Sequence, residues 1–199
     1  MFSNEIQLEK QTDKLELLAV DYNFLELLNN INSMFQSIAQ KKNLEFQFQL
    51  EGEIPLYLYG DAIRLRQVLI ILCGNAVKFT EQGFVCLMVM GNNDSITLTV
   101  TDTGIGLSED NLKMIYNLFS QVDTGKIRGI KGTGFGLFIC KQIIEMMGGN
   151  IEVISEYRQG SAFIVTIPKI IGNAVDSTKK RKSQAREALR AYRSNINRR

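Results

Sequence analysis

The chain predicts an α+β domain, and three observations carry that reading. Leu44–Leu50 and Ser95–Val100 alternate apolar and polar residues, the period-2 mark of half-buried strands. Residues 21–41 and 61–79 instead repeat apolar residues every three or four positions, as amphipathic helices do. Glycine and proline punctuate the segments, as at Gly52, Pro55 and Gly60.

In chain order, residues 3–19 read as a charged amphipathic helix, with Ile6, Leu8, Leu15, Leu17 and Leu18 among Glu and Lys. The next helix covers 21–41 with Asp21 as N-cap; Phe24, Leu27, Leu28, Ile31, Met34, Phe35 and Ile38 form its stripe, and Lys41-Lys42-Asn43 closes it. Strand 44–50 follows, then a short strand at Leu56–Tyr59. Asp61 caps a long helix to Phe79. Leu65, Val68, Leu69, Leu72, Ala76 and Phe79 share its core face. Phe84–Met90 and Ser95–Thr101 make a hairpin around Gly91–Asp94. Ser108 caps a helix to about Tyr116, and a polar stretch, 120–133, separates it from a helix over Phe138–Met147. Strands 150–155 and 161–167 meet across Arg158-Gln159-Gly160, and Pro168 ends the fold.

With 199 residues, 45% of them hydrophobic, the chain can bury one well-packed core. No apolar run is long enough to cross a membrane, and a secretory leader pattern is lacking at the N-terminus. Cys73, Cys86 and Cys140 lie in apolar segments without metal spacing, so reduced core thiols and a cytoplasmic setting are expected. The chain contains no histidine, which excludes His-based acid/base chemistry and a His phosphoacceptor within it. The net charge of +2 hides an asymmetry: residues 176–199 hold nine Lys/Arg against two acids, and residues 1–175 hold fourteen against nineteen. The tail, with Ala185, Leu189 and Tyr192 as apolar positions over 179–193, reads as a solvated linker; nucleic acid is not an expected partner.

Chemistry concentrates in three places. Thr101-Asp102-Thr103-Gly104-Ile105-Gly106-Leu107 sets a carboxylate at a strand end followed by two glycines, which present an acceptor, leave room for a flat ligand and allow positive φ. Arg64, Gln67, Ile71, Asn75 and Lys78 form a second helical stripe, polar except for Ile71. Asn75 within it reads either as a buried amide bonded to backbone or as a ligand for a hard cation, with Lys78 one turn on reaching a phosphate. Gly132-Thr133-Gly134-Phe135-Gly136-Leu137 leads into a helix, where free N–H groups and the helix dipole favour an anion; a flexible hinge is the plainer reading.

Asp61-x-x-Arg64-Leu65-x-Gln67-Val68-Leu69 through Asn75-Ala76-Val77-Lys78-Phe79-Thr80 resembles the N box of sensor histidine kinases. Asp102–Leu107 resembles their first glycine box, Leu118-Phe119-Ser120-Gln121 their F box and Gly132–Leu137 their second glycine box. Gly148-Gly149 and Gly160-Ser161-Ala162-Phe163 fit the closing strands, so the likeness covers about residues 21–168. The resemblance implies a Bergerat fold: a two-layer α/β sandwich whose mixed, mostly antiparallel sheet packs against about three helices, shared with DNA gyrase, Hsp90 and MutL. It also implies ATP and Mg²⁺ as cofactors. By that likeness Asp102 accepts from the adenine amine, Gly104 and Gly106 shape the adenine turn, and Asn75 binds Mg²⁺. Lys78 and Gly132, Thr133, Gly134, Phe135, Gly136 and Leu137 serve the phosphates, and Phe119 packs under a lid. Residues 1–20 then read as the end of a dimerisation helix or linker, 21–170 as the ATP-binding catalytic domain and 171–199 as a basic tail. The implied partners are a His-containing dimerisation and phosphoacceptor domain and a downstream receiver domain or response regulator. The acceptor helix is missing, so the chain reads as a fragment of a larger sensor or a partner acting in trans.

One position departs from that pattern: Ile71 stands where the kinases carry Asn and the ATP-hydrolysing relatives Glu. A general base for water is therefore missing. A degenerate module that binds nucleotide weakly and acts through protein contacts is the alternative function. An aspartic protease, suggested by Asp-Thr-Gly after a strand, fails because it needs two such carboxylates and this chain has one. Replacing Ile71 with Asn is expected to tighten Mg·ATP binding; an unchanged dissociation constant in a calorimetric titration contradicts that expectation.

Overall fold

A computed structural model describes residues 16–115 and 135–174. Its centre is a five-stranded sheet in the order β2-β4-β5-β7-β6, with β2 Glu45–Gly52, β4 Phe84–Gly91, β5 Ser95–Asp102, β6 Asn150–Glu156 and β7 Gly160–Pro168. β2 and β4 run parallel, and the other neighbours are antiparallel. β1 (Val20–Asn23) and β3 (Tyr57–Gly60) form a separate antiparallel pair. Helices α1 (Phe24–Lys41), α2 (Ala62–Phe79) and α4 (Gly136–Met146) cover one face of the large sheet, with the short α3 (Glu109–Leu112) at its end. The mixed two-layer sandwich is the architecture the sequence predicts.

Alternation decides which side of each strand joins the core. Val85, Leu87 and Val89 of β4, Ile96, Leu98 and Val100 of β5, and Phe163, Val165 and Ile167 of β7 are buried towards the helices. From α1 they meet Phe24, Leu28, Ile31 and Phe35, and from α2 Leu65, Val68, Leu69 and Leu72. Each buried side chain of this size contributes on the order of 1.5–3 kcal/mol. Cys73 and Cys140 lie inside this core, and burial pushes both thiols up to about 12. Both are protonated and unreactive at neutral pH.

Helix α2 carries three of the sequence-predicted features, and its two ends are fixed by charge. At the start, Asp61 Oδ1 accepts from the N–H of Ile63 (3.1 Å) and Arg64 (3.0 Å), while Oδ2 accepts from Leu18 N–H at 3.0 Å. At the finish, Lys42 Nζ donates to the carbonyls of Val77 (2.7 Å), Lys78 (3.2 Å) and Thr80 (3.2 Å). A cation over these last carbonyls satisfies acceptors that no helical N–H can reach.

Several boundaries differ from those read in sequence. Asp21 is not an N-cap: it lies in β1 and accepts from Asn173 N–H, and the cap of α1 is Asn23, bonded to Glu26 N–H at 2.9 Å. Pairing with β3 keeps residues 20–23 extended, so tertiary contact overrides the helical spacing. Residues 16–19 are not helical either; residues 3–15 of that predicted helix lie outside the described residues. The helix after Ser108 is one turn long, and α4 begins two residues early, at Gly136. Pro168 ends β7 but not the packed chain, since Ile171 bridges Leu58 and Tyr59 N–H donates to Ile170. The predicted features at 116–134, Phe119 among them, and the tail from 175 lie outside the described residues.

Removing the charged cap is the sharpest test of how α2 is held. Lys42→Met is expected to lower the unfolding free energy by about 1–2 kcal/mol, read by urea denaturation; a variant as stable as the parent contradicts this account of the helix end.

Candidate functional site

The site is built on the last residue of the central strand. Asp102 ends β5 and is paired on both sides, to Val85 of β4 and Ser161 of β7. Strand alternation aims it at the helical layer, on the same side as Leu98 and Val100. Its side chain is 6% exposed. Oδ1 accepts from the backbone N–H of Gly104 at 2.8 Å. Burial raises the carboxyl above its ordinary range, and the N–H groups of Gly104 and Ser161 only partly oppose that.

The turn after Asp102 is clamped by backbone from three directions. Ile105 N–H donates to Phe79, the last residue of α2, at 3.3 Å. Arg158 N–H, from the β6–β7 turn, donates to the Ile105 carbonyl at 2.7 Å. Ser155 Oγ accepts from Leu107 N–H (2.8 Å), donates to the Gly160 carbonyl (2.8 Å) and lies 3.0 Å from Ser161 Oγ. The positive φ expected of this turn is found at Gly106, at +62°. A Cβ on Gly104 would strike the Phe79 carbonyl and lie 2.8 Å from Asp102 Oδ1. A Cβ on Gly106 would strike the Glu156 carbonyl. Close approach of the protein's own backbone is thus a further reason for both glycines.

Between this turn and α2 lies a cavity of about 80 Å³, lined by Asn75, Ala76, Phe79, Asp102, Ile105, Gly106, Leu107, Ile115, Leu137, Ser161 and Phe163. Four sequence-predicted residues, Asn75, Asp102, Gly106 and Leu137, thus meet around one space, with Gly104 bonded to Asp102 beside it. The walls are apolar apart from Asn75, Asp102 and Ser161, which suits a flat aromatic group held by few polar contacts. Lys78 is not in the lining; its Nζ lies 4.8 Å from the centroid of the Phe79 ring. Phe135 is the N-cap residue of α4, with no side-chain cap bond, and Gly136 opens the helix. A Cβ on Gly136 would sit 3.0 Å from Ile71 Cγ2, so Ile71 borders the start of that helix. Gly132, Thr133 and Gly134 lie outside the described residues.

Sequence reasoning does not assign seven of the eleven wall residues to the site: Ala76, Phe79, Ile105, Leu107, Ile115, Ser161 and Phe163. Ser161 and Phe163 could have been found by carrying the period-2 pattern of β7 to its start. Ile115 follows a one-turn helix and gives no such signal. The metal question comes down to Asn75. No group of three or more Cys, Asp or Glu side chains able to hold a metal exists among the described residues. An amide oxygen at the cavity fits a cation that takes most of its ligands from phosphate and water.

Comparison with known proteins agrees with this geometry. The family described as "Histidine kinase-, DNA gyrase B-, and HSP90-like ATPase" matches residues 60–183. The sensor histidine kinase RcsC of Escherichia coli (strain K12) is 36% identical over 158 residues, 79% of this chain and 17% of RcsC. The sensory/regulatory protein RpfC of Xanthomonas campestris pv. campestris is 36% identical over 174 residues, 84% of this chain and 24% of RpfC. The chain therefore spans a quarter or less of these relatives. Among solved structures, full-length ShkA in complex with AMPPNP superposes with a TM-score of 0.73 at 29% identity, covering 86% of this chain and 36% of that one. The nucleotide-free catalytic domain of the histidine kinase ThkA gives 0.66 at 30% identity, over 77% of this chain and 99% of that one.

The buried carboxylate has a pH signature. A raised folded pKa means that the native state holds this proton more tightly than the unfolded chain, so stability is lost as pH rises through the titration. Asp102→Asn removes that loss. The variant is expected to be more stable than the parent at pH 7, with the gain appearing above pH ~3.9 and levelling off past the raised pKa. Urea unfolding of both proteins at several pH values checks this; a variant that loses ground to the parent as pH rises contradicts it.

Proposed function

The chain belongs to the histidine kinase-, DNA gyrase B- and HSP90-like ATPase family, and on that premise we propose that it binds Mg·ATP and passes the γ-phosphoryl group to a histidine on a separate dimerisation and phosphoacceptor domain. A receiver domain or response regulator is the onward acceptor. Residues 21–170 form the catalytic module in this reading, with 1–20 leading from the dimerisation segment and 171–199 as a linker. The place of action is the cytoplasm; among the described residues no helix is long and apolar enough to cross a membrane.

The observation that carries the reading is the Asp102 carboxylate, buried at a strand end and bordering an apolar cavity. The N–H groups of Gly104 and Ser161 only partly offset the cost of burying that carboxylate, and an exocyclic amine supplies a further donor. Gly104 and Gly106 set the turn that aims it. Asn75, one side of the same cavity, holds Mg²⁺ through its amide oxygen. The metal supplies charge neutralisation between phosphate groups. Lys78 swings from the Phe79 ring to the phosphates, a short reach for a flexible side chain. Phe135, Gly136 and Leu137 stand at the start of α4, where N–H groups suit phosphate, and the family likeness assigns Gly132, Thr133 and Gly134 to the same ligand. The family likeness assigns Phe119 to the nucleotide site as well. Catalysis is then positioning and charge stabilisation, and needs no general base from this chain.

Ile71 favours a second reading. Its methyl group borders the first turn of α4, where a polar side chain would otherwise face the phosphates. A module of this kind binds nucleotide poorly and acts through protein contacts.

Calorimetric titration with a non-hydrolysable ATP analogue, with and without Mg²⁺, separates the two. Micromolar, Mg²⁺-dependent binding that drops at least ~100-fold in Asp102→Asn is the expected result. No binding at millimolar analogue overturns the catalytic reading in favour of the interaction module.

A further inference from the structure

The face of the large sheet turned away from the helices has an uneven composition. None of its five strands contains a Lys or Arg. The strand registers put Phe84, Cys86, Met88, Met90, Ile164 and Ile154 on this face, beside the hydroxyls of Thr97, Thr99 and Thr101. Cys86 is buried yet stands apart from the main core, and Ile154 is 67% exposed. The two edge strands carry the charge: Glu45 and Glu51 on β2, Glu152 and Glu156 on β6, all exposed. Glutamates on edges discourage strand pairing between molecules. They do not account for a thioether-rich centre, because such adaptable apolar surface suits a docked partner.

The chain carries a segment of the complementary kind. Residues 176–199 hold nine Lys/Arg against two acids, with Ala185, Leu189 and Tyr192 spaced four and three apart among Arg186, Arg190 and Arg193. The remainder of the chain is net negative. The last described residue, 174, leaves 25 residues beyond it. Extended, these reach roughly 80 Å, well beyond the ~19 Å width of five strands at 4.8 Å spacing.

We propose that the basic C-terminal segment docks in cis on this open sheet face, Leu189 and Tyr192 against Met88 and Met90 and its arginines towards the edge-strand glutamates. The contact lies on the opposite side of the sheet from Asp102 and does not depend on the nucleotide-site reading. It would occupy the sheet face when no other basic partner competes for it.

The test uses the full 199-residue chain with ¹³C-labelled methionine methyl groups. In low salt, the triple variant Arg186→Glu, Arg190→Glu, Arg193→Glu is expected to shift the Met88 and Met90 methyl signals, leaving Met34 and Met147 in place. About 0.5 M NaCl should erase the difference between parent and variant, since the Debye length is then only a few ångströms. Adding Glu51→Lys and Glu152→Lys to the triple variant should restore the parent's salt-dependent shifts. Unchanged Met88 and Met90 signals in the triple variant overturn the proposal. Shifts that scale with protein concentration overturn it as well, by assigning the face to a second copy of the chain.

Discussion

The site depends on a carboxylate kept from water at the end of the central strand. Asp102 borders an apolar cavity because three stretches of backbone close around it: the end of α2, the Gly104–Leu107 turn and the β6–β7 turn. Each closure runs through peptide groups and small side chains, so little in it can slide. Gly160, at φ +102°, lets β7 pass so near that a Cβ would strike the Asp102 carbonyl. Such a carboxylate lowers the stability of the protein that holds it. That is the usual mark of a group kept for binding.

Helix α2 connects this site to the incoming chain. Its first turn is held by Asp61, which also ties down Leu18 N–H across 43 positions of sequence. Its last turns place Asn75, Ala76 and Phe79 in the cavity wall, and Lys42 fixes the final carbonyls. The N-terminal segment and the cavity therefore share one rigid element.

Much of this was legible in sequence, where local chemistry decides. Asp61 as the cap, the core face of α2 and the β4–β5 hairpin follow from spacing and capping rules. The convergence of Asn75, Asp102, Gly106 and Leu137 follows from three motifs in family order. What failed was set by distant partners. Residues 21–23 read as helix but extend because β3 lies beside them. The parallel pairing of β2 with β4 has no signature in either strand. The backbone contacts that also require Gly104 and Gly106 were not visible, because the carbonyls they avoid, from Phe79 and Glu156, belong to other elements. The apolar centre of the outer sheet face appears only once the strands are in register.

Under the proposed function, Asp102 selects adenine through its exocyclic amine. The most direct measurement compares Mg²⁺-dependent binding of an adenine nucleoside triphosphate analogue with that of its hypoxanthine counterpart, identical except that a carbonyl oxygen replaces the amine. Two acceptors then face one another in a dry site, so the account predicts a loss of at least ~100-fold in affinity. Equal affinity for the two nucleotides would contradict it.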